Sequence, residues 1–176
     1  MQEKLEKSLI GACGVFYASA ELSRHGWIAM PTIRNTRGID IVATKGEKVA
    51  NIQVKTNSYG KAVYPLNVKD EDSWGSNVYY VFVTLRDEDQ RPDFYVLASQ
   101  FVAEYIKKTH EKWTLMKPKL KKALYEKETK EGIRKKRANS AIRRFPNYIG
   151  KMFPQFKDFD INNYRDNWDL LDTAKS

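Results

Sequence analysis

The chain has 176 residues and one cysteine, Cys13, so it forms no intrachain disulfide. It has two histidines, His25 and His110, and neither stands at ligand spacing from another His or from Cys13, which argues against a zinc site. None of its nine glycines builds a glycine-rich phosphate loop, so no nucleotide cofactor is expected. No uninterrupted apolar stretch approaches the ~20 residues that span a bilayer. The first residues, MQEKLEKS, are charged and carry no apolar signal core. These absences point to a cytoplasmic protein that neither crosses nor binds a membrane. The chain is not short of core material: 41% of residues are hydrophobic and 12% aromatic, which excludes a disordered polypeptide.

Charge is unevenly placed. Residues 1–104 carry 12 Lys/Arg against 13 Asp/Glu, residues 105–151 carry 16 against 4, and residues 152–176 carry 3 against 5. The net +9 therefore comes from one segment. A focused basic block attracts polyanions, nucleic acid first among them. Its clusters are KPKLKK at 117–122, Arg134-Lys135-Lys136-Arg137, and Arg143-Arg144.

Hydrophobic periodicity predicts a helix from Leu5 to His25, with Leu9, Cys13, Phe16 and Ala20 at helical spacing and a second stripe of small residues, Gly11, Gly14 and Ala18. Small residues on one side fit close packing against a sheet. Strands are predicted at 27–33, on both sides of Lys45-Gly46, at 62–68, at 77–85 and at 93–99, followed by a helix opening at Ser99. The order helix, strands, helix gives an α/β or α+β protein with a mixed sheet. Residues 1–112 read as the core, and 113–176 as a basic, helical C-terminal extension packing back on it. In the tail, Tyr164, Trp168 and Leu171 follow i, i+4, i+7 and should dock as one small apolar face.

The hairpin GIDIVATKGEKVANIQVKT, 38–56, carries the chemistry. Side chains alternate along a strand, so Ile39, Ile41, Ala43, Ala50, Ile52 and Val54 form one face, leaving Asp40, Gln53 and Lys55 to the other. With Lys45-Gly46 as a two-residue turn, Asp40 falls opposite Asn51 and diagonal to Gln53; with a three-residue loop it falls opposite Ile52 and the cluster breaks. A carboxylate and an amide oxygen are hard ligands for Mg²⁺, and a lysine two residues on can orient water or neutralise charge building on a phosphate. Glu21, near the end of the first helix, is the candidate second acid. The competing reading is a cross-strand ion pair between Asp40 and Lys55 on a solvated face. Arg34, Asn35, Thr36 and Arg37, just before Asp40, suit phosphate contacts. Tyr59, Lys61 and Tyr64 follow the second strand and line the same groove in this reading.

These motifs, Glu21 in SAELSRHGW, Asp40 in RGIDIVA, and Gln53 with Lys55 in IQVKT, resemble the PD-(D/E)xK nuclease superfamily over about residues 5–110. The similarity is greatest to small bacterial and phage proteins compared with Holliday-junction resolvases. It implies a restriction-endonuclease-like fold with a central mixed β-sheet flanked by helices, an αβββαβ-type core, and Mg²⁺- or Mn²⁺-dependent hydrolysis of DNA, duplex or branched. It further implies that Asp40 and Gln53 bind metal, Lys55 assists catalysis, and Glu21 supports the metal. Enzymes of this kind often pair two sites, so a homodimer is implied. Gln53 stands where many members have glutamate, which removes one negative charge from the metal site. The alternatives are a nucleic-acid-binding module on the same fold that no longer cleaves, and an interaction protein using the fold as scaffold.

Overall fold

The computed structural model describes residues 6–33, 38–72, 75–117, 129–147 and 154–174. Helix α1 (Lys7–Arg24) leads through Gly26, whose φ of +80° lets the chain reverse, into β1 (Ile28–Pro31). The hairpin β2 (Ile41–Lys45) and β3 (Lys48–Ser58) follows, then β4 (Val63–Asn67), β5 (Val78–Leu85) and β6 (Asp93–Ala98). Helix α2 (Ser99–Leu115), helix α3 (Lys130–Ala138) and strand β7 (Ile142–Pro146) complete the regular structure, and the tail runs through short 3₁₀ turns.

Five strands form one mixed sheet in the order β1-β2-β3-β5-β6, with β3 and β5 parallel and the other neighbours antiparallel. The crossover between the parallel strands runs through β4 and a 3₁₀ turn, Val68–Glu71, where the αβββαβ pattern has a helix. β5 is buried on both faces, as its unbroken β-branched and aromatic run dictates. On one face Tyr79, Val81 and Val83 join Ile52, Val54 and the α1 residues Ala18 and Leu22. On the other, Tyr80 and Phe82 join α2 and the small β4–β7 sheet, with the Phe82 and Phe145 rings stacked at 4.5 Å.

Strand β7 lies in the segment whose sequence reads as helical. Its Phe145 is fully buried, while Arg143 and Arg144 pair opposite Leu66 and Pro65 of β4. The tail docks differently from the single face its spacing predicts. Trp168 and Leu171 are buried with the α1 face, whereas Tyr164 packs with Phe101 and Phe159 on the α2 face. The 3₁₀ geometry rotates successive residues by three per turn, so an α-helical stripe does not form. Among the described residues no helix is long and apolar enough to cross a membrane.

Candidate functional site

The hairpin turn is Gly46-Glu47, one residue beyond the turn expected from sequence. Lys45 pairs with Lys48 and Ile41 with Ile52. Gly46 has φ +61°, which a two-residue hairpin loop requires at its first position. Neither register expected from sequence is the one adopted. The adopted one, carried one residue beyond β2, sets Asp40 beside Gln53. The ladder ends there: the Asp40 N–H donates to the Ile52 carbonyl at 2.8 Å, and its carboxylate Oδ2 accepts the Val54 N–H at 2.8 Å. The side chain thus replaces a backbone acceptor at the end of β2. On the other side the Asp40 carbonyl accepts the Thr32 N–H at 2.9 Å, so the residue is held from both directions.

Burial raises the Asp40 carboxyl above its ordinary range, and the Val54 N–H and the Lys55 ammonium offset only part of that. Gln53 is 7% exposed, and its amide makes no hydrogen bond among the described residues. Lys55 is half-buried and makes no ion pair among the described residues. Beside Gln53 in the sheet stands Tyr80, whose hydroxyl donates to Asp70 Oδ1 at 3.2 Å. Asp70 is 1% exposed, and its other oxygen accepts the Asn67 N–H at 2.6 Å in a capping box. Burial and the Asp70 charge push the Tyr80 ionisation far up, so its hydroxyl stays a neutral donor. Asp70 and Tyr80 escaped the sequence reading; the Asn67-x-x-Asp70 capping pattern was the available signal.

Glu21 is not brought to this cluster. Where α1 passes the cleft of Asp40, it presents Gly11, Ala12 and Val15, and the cleft encloses about 650 Å³. Glu21 lies more than a turn further on, about 9 Å along the axis from Val15. Its carboxylate is held by Arg91 at 2.9 and 3.2 Å and by Arg24 at 2.8 Å, and Arg91 in turn bridges to Asp166 at 2.8 Å. The Arg91 hydrogen bonds keep Glu21 below the usual carboxylate range despite burial. Among the described residues no three His, Cys, Asp or Glu side chains are grouped to hold a metal. The Asp40 carboxylate and the Gln53 amide oxygen beside it are hard oxygen donors of the type a divalent cation that retains several waters accepts.

The basic residues divide. Arg134, Lys135 and Lys136 are exposed on α3. Arg137 donates to the carbonyls of Trp113 and Met116 at 3.2 and 3.1 Å and lies over the Trp113 ring, closing the end of α2. Arg143 is 6% exposed and paired with Glu71, while Arg144 also lies over the Trp113 ring, 5.7 Å from its centroid. Lys61 is exposed after Gly60; Tyr64, expected to line the groove, is fully buried and bonded to Thr84 at 2.6 Å. Arg34, Arg37 and most of the 117–122 cluster lie outside the described residues.

No protein-family model and no curated protein matches the chain. Among solved structures it is similar to a bacterial homing endonuclease, I-Ssp6803I, with TM-score 0.49 and 14% identity over 97% of this chain and 95% of that one. It is also similar to Hjc, a Holliday junction resolvase from Archaeoglobus fulgidus, with TM-score 0.38 and 17% identity over 51% of this chain and 73% of that one.

Proposed function

We propose that the chain is a metal-dependent nuclease hydrolysing phosphodiester bonds of DNA, duplex or branched, with a QxK form of the PD-(D/E)xK site. The observation that carries the reading is the register at the end of the β2–β3 ladder, which sets Asp40 beside Gln53 with the Lys55 charge acting on its carboxyl. Asp40 and Gln53 would hold Mg²⁺ or Mn²⁺. A divalent ion supplies Lewis-acid polarisation of the phosphodiester and a water of lowered pKa. Asp40 must be ionised to act as ligand, and Lys55 beside it favours that state. The Lys55 ammonium, whose charge acts on Asp40, would orient the attacking water and neutralise charge that builds on the phosphate. The water would lose a proton to solvent as its oxygen bonds to phosphorus, the P–O ester bond would break, and the leaving oxygen would take up a proton from solvent to depart as an alcohol, with Lys55 meeting the charge on the phosphate.

A second reading, a DNA-binding module that does not cleave, is favoured by the absence of an acid where α1 passes Asp40. One carboxylate and one amide give the cation less charge compensation than two carboxylates. Incubation of the protein with labelled linear, nicked and branched DNA, with and without Mg²⁺ or Mn²⁺, separates the two. Cleavage that requires the cation and is lost by at least ~100-fold in Asp40→Asn and Lys55→Ala is the expected result. Cation-independent DNA binding with no cleavage of any form would establish the second reading.

A further inference from the structure

A second cleft, of about 340 Å³, lies between α2 and the 3₁₀ turns of the tail. It shares no described lining residue with the Asp40 cleft, and its volume falls in the ~300–1,000 Å³ range of ligand sites. Four rings wall it. Phe101 stacks on Tyr105 at 5.9 Å and tilts against Tyr164 at 5.4 Å, and Phe159 closes the group against Tyr105 at 4.6 Å. Phe101, Tyr105 and Tyr164 stay partly exposed where they line it. The mouth is charged. Lys108 and Lys112 stand one turn apart on α2, and Asp158 and Asp160 come from the tail. Lys112 reaches Asp158 at 3.6 Å, but the two side chains are 48% and 91% exposed, so a phosphate displaces the pair at little cost. Lys108 makes no ion pair among the described residues. One residue beyond Lys112 is Trp113, where Arg137 docks, so these lysines adjoin the exposed cations of α3.

We propose that this cleft takes one unpaired nucleobase of a DNA strand, its ring stacked on Phe101 and Tyr164 and its flanking phosphates on Lys108 and Lys112. Aromatic walls beside cations match the two halves of a nucleotide, since every base has a face to stack and every linkage a negative charge. Asp160 uses Oδ1 for the Asn162 N–H at 2.9 Å, which leaves Oδ2 to accept from a base amino group. Asn163, exposed on the same rim, offers an amide that both donates and accepts. A fully paired duplex has no base to insert, so the site selects branched, bulged or single-stranded DNA over plain duplex. The inference rests on the DNA-binding part of the proposed function and not on the metal site.

The test is photo-cross-linking of the full chain, without divalent ions, to DNA carrying a single 5-bromodeoxyuridine, either unpaired in a bulge or paired in a plain duplex of the same sequence. Cross-linked peptides are mapped by mass spectrometry, and affinities for both DNAs are measured for wild type, Tyr164→Leu and the double variant Lys108→Ala/Lys112→Ala. The expected result is a cross-link to Phe101 or Tyr164 from the bulged DNA alone. Tyr164→Leu, which keeps apolar bulk and removes the ring, should lose at least about 5-fold in affinity for bulged DNA and nothing for duplex. The lysine variant should lower the cross-link yield at unchanged melting temperature. A wild-type cross-link elsewhere, or equal affinity for both DNAs unmoved by Tyr164→Leu, overturns the base site and leaves the nuclease reading standing. No binding of either DNA overturns both. Absence of cleavage with the cross-link in place overturns only the nuclease reading. Displacement of the bulged DNA by an equal concentration of thymidine monophosphate would overturn the proposal in favour of a free nucleotide.

Discussion

Gly14 of α1 rests on Thr56 of β3 so closely that a Cβ on the glycine would stand 1.8 Å from the threonine Oγ1 and 2.8 Å from its Cβ. The contact sets the height of the helix over the sheet, one residue beyond Lys55. Gly14→Ala should therefore destabilise the fold by about 1–3 kcal/mol, overpacking outweighing the ~1 kcal/mol gain in helix propensity. Thr56→Ala in the same chain should recover part of the loss, since it removes Oγ1 and Cγ2. Urea denaturation of the two single variants and the double variant measures the coupling; additive effects would show that the helix simply lifts.

Asp40 titrates above the ordinary carboxyl range because burial dominates. Between that range and its own, the folded chain keeps a proton that the unfolded chain has released. The folded state binds more protons there, so this group's contribution to stability falls as pH rises through the window. Asp40→Asn should abolish that fall and melt higher than wild type at neutral pH in the absence of divalent ions. Mn²⁺ favours the ionised carboxylate, so the rise it gives in the wild-type melting temperature should grow from mildly acidic to neutral pH, and the variant should stay unmoved. Thermal melts at both pH values, with and without Mn²⁺, decide it.

The Glu21–Arg91–Asp166 chain should be structural. Glu21→Gln leaves Arg91 with one carboxylate instead of two and should cost about 1–3 kcal/mol, with cation-dependent cleavage at saturating DNA retained. Because the folded pKa of Glu21 is lowered, its stabilisation is present at neutral pH and lost as pH falls through the folded value; the variant's stability should be correspondingly flatter in acid. Loss of cleavage in a folded Glu21→Gln protein would place the residue back in the site.

What could be read from sequence followed from strict periodicities. The alternation of Asp40, Ile41 and Ala43 against Ala50, Ile52 and Gln53 names an apolar and a polar face on each strand, and any two-residue loop keeps the polar faces together. The turn itself was misplaced, because Lys45-Gly46 and Gly46-Glu47 both put a glycine in a two-residue loop and only the positive φ at its first position decides between them. The small-residue side of α1 was legible as a packing face. The place of Glu21 along it was not, since helical phase says nothing of how far the helix slides over the sheet. Strand β7 was hidden by composition: Arg143 and Arg144 look like solvated charge, yet Arg143 is buried against Glu71, a partner 72 residues away.

The basic segment can now be divided by what each cation touches. Arg143 is buried in its pair with Glu71, and breaking such a pair costs about 3–5 kcal/mol, so Arg143→Ala should lower stability whether or not DNA is bound. Arg137 closes the last turn of α2 over Trp113, and Arg137→Ala should likewise act on the melting temperature. Arg134, Lys135 and Lys136 are exposed on one short helix, where phosphates can meet them, and Lys107, Lys108, Lys112 and Lys130 are exposed as well among the described residues. Each phosphate contact releases condensed counterions, with a log–log salt slope near −0.9 per contact on duplex DNA. Replacing Arg134, Lys135 and Lys136 with alanine should flatten the slope by up to about 2.7 and weaken every DNA sequence alike, because phosphates carry no sequence information. The melting temperature should hold, since no buried group is disturbed. Fluorescence anisotropy titrations from 50 to 200 mM salt, a range over which ~6–10 contacts lose about 10³–10⁵ in affinity, measure it directly. A triple variant with an unchanged slope would reduce α3 to a solvated face and move the DNA footprint elsewhere on the molecule.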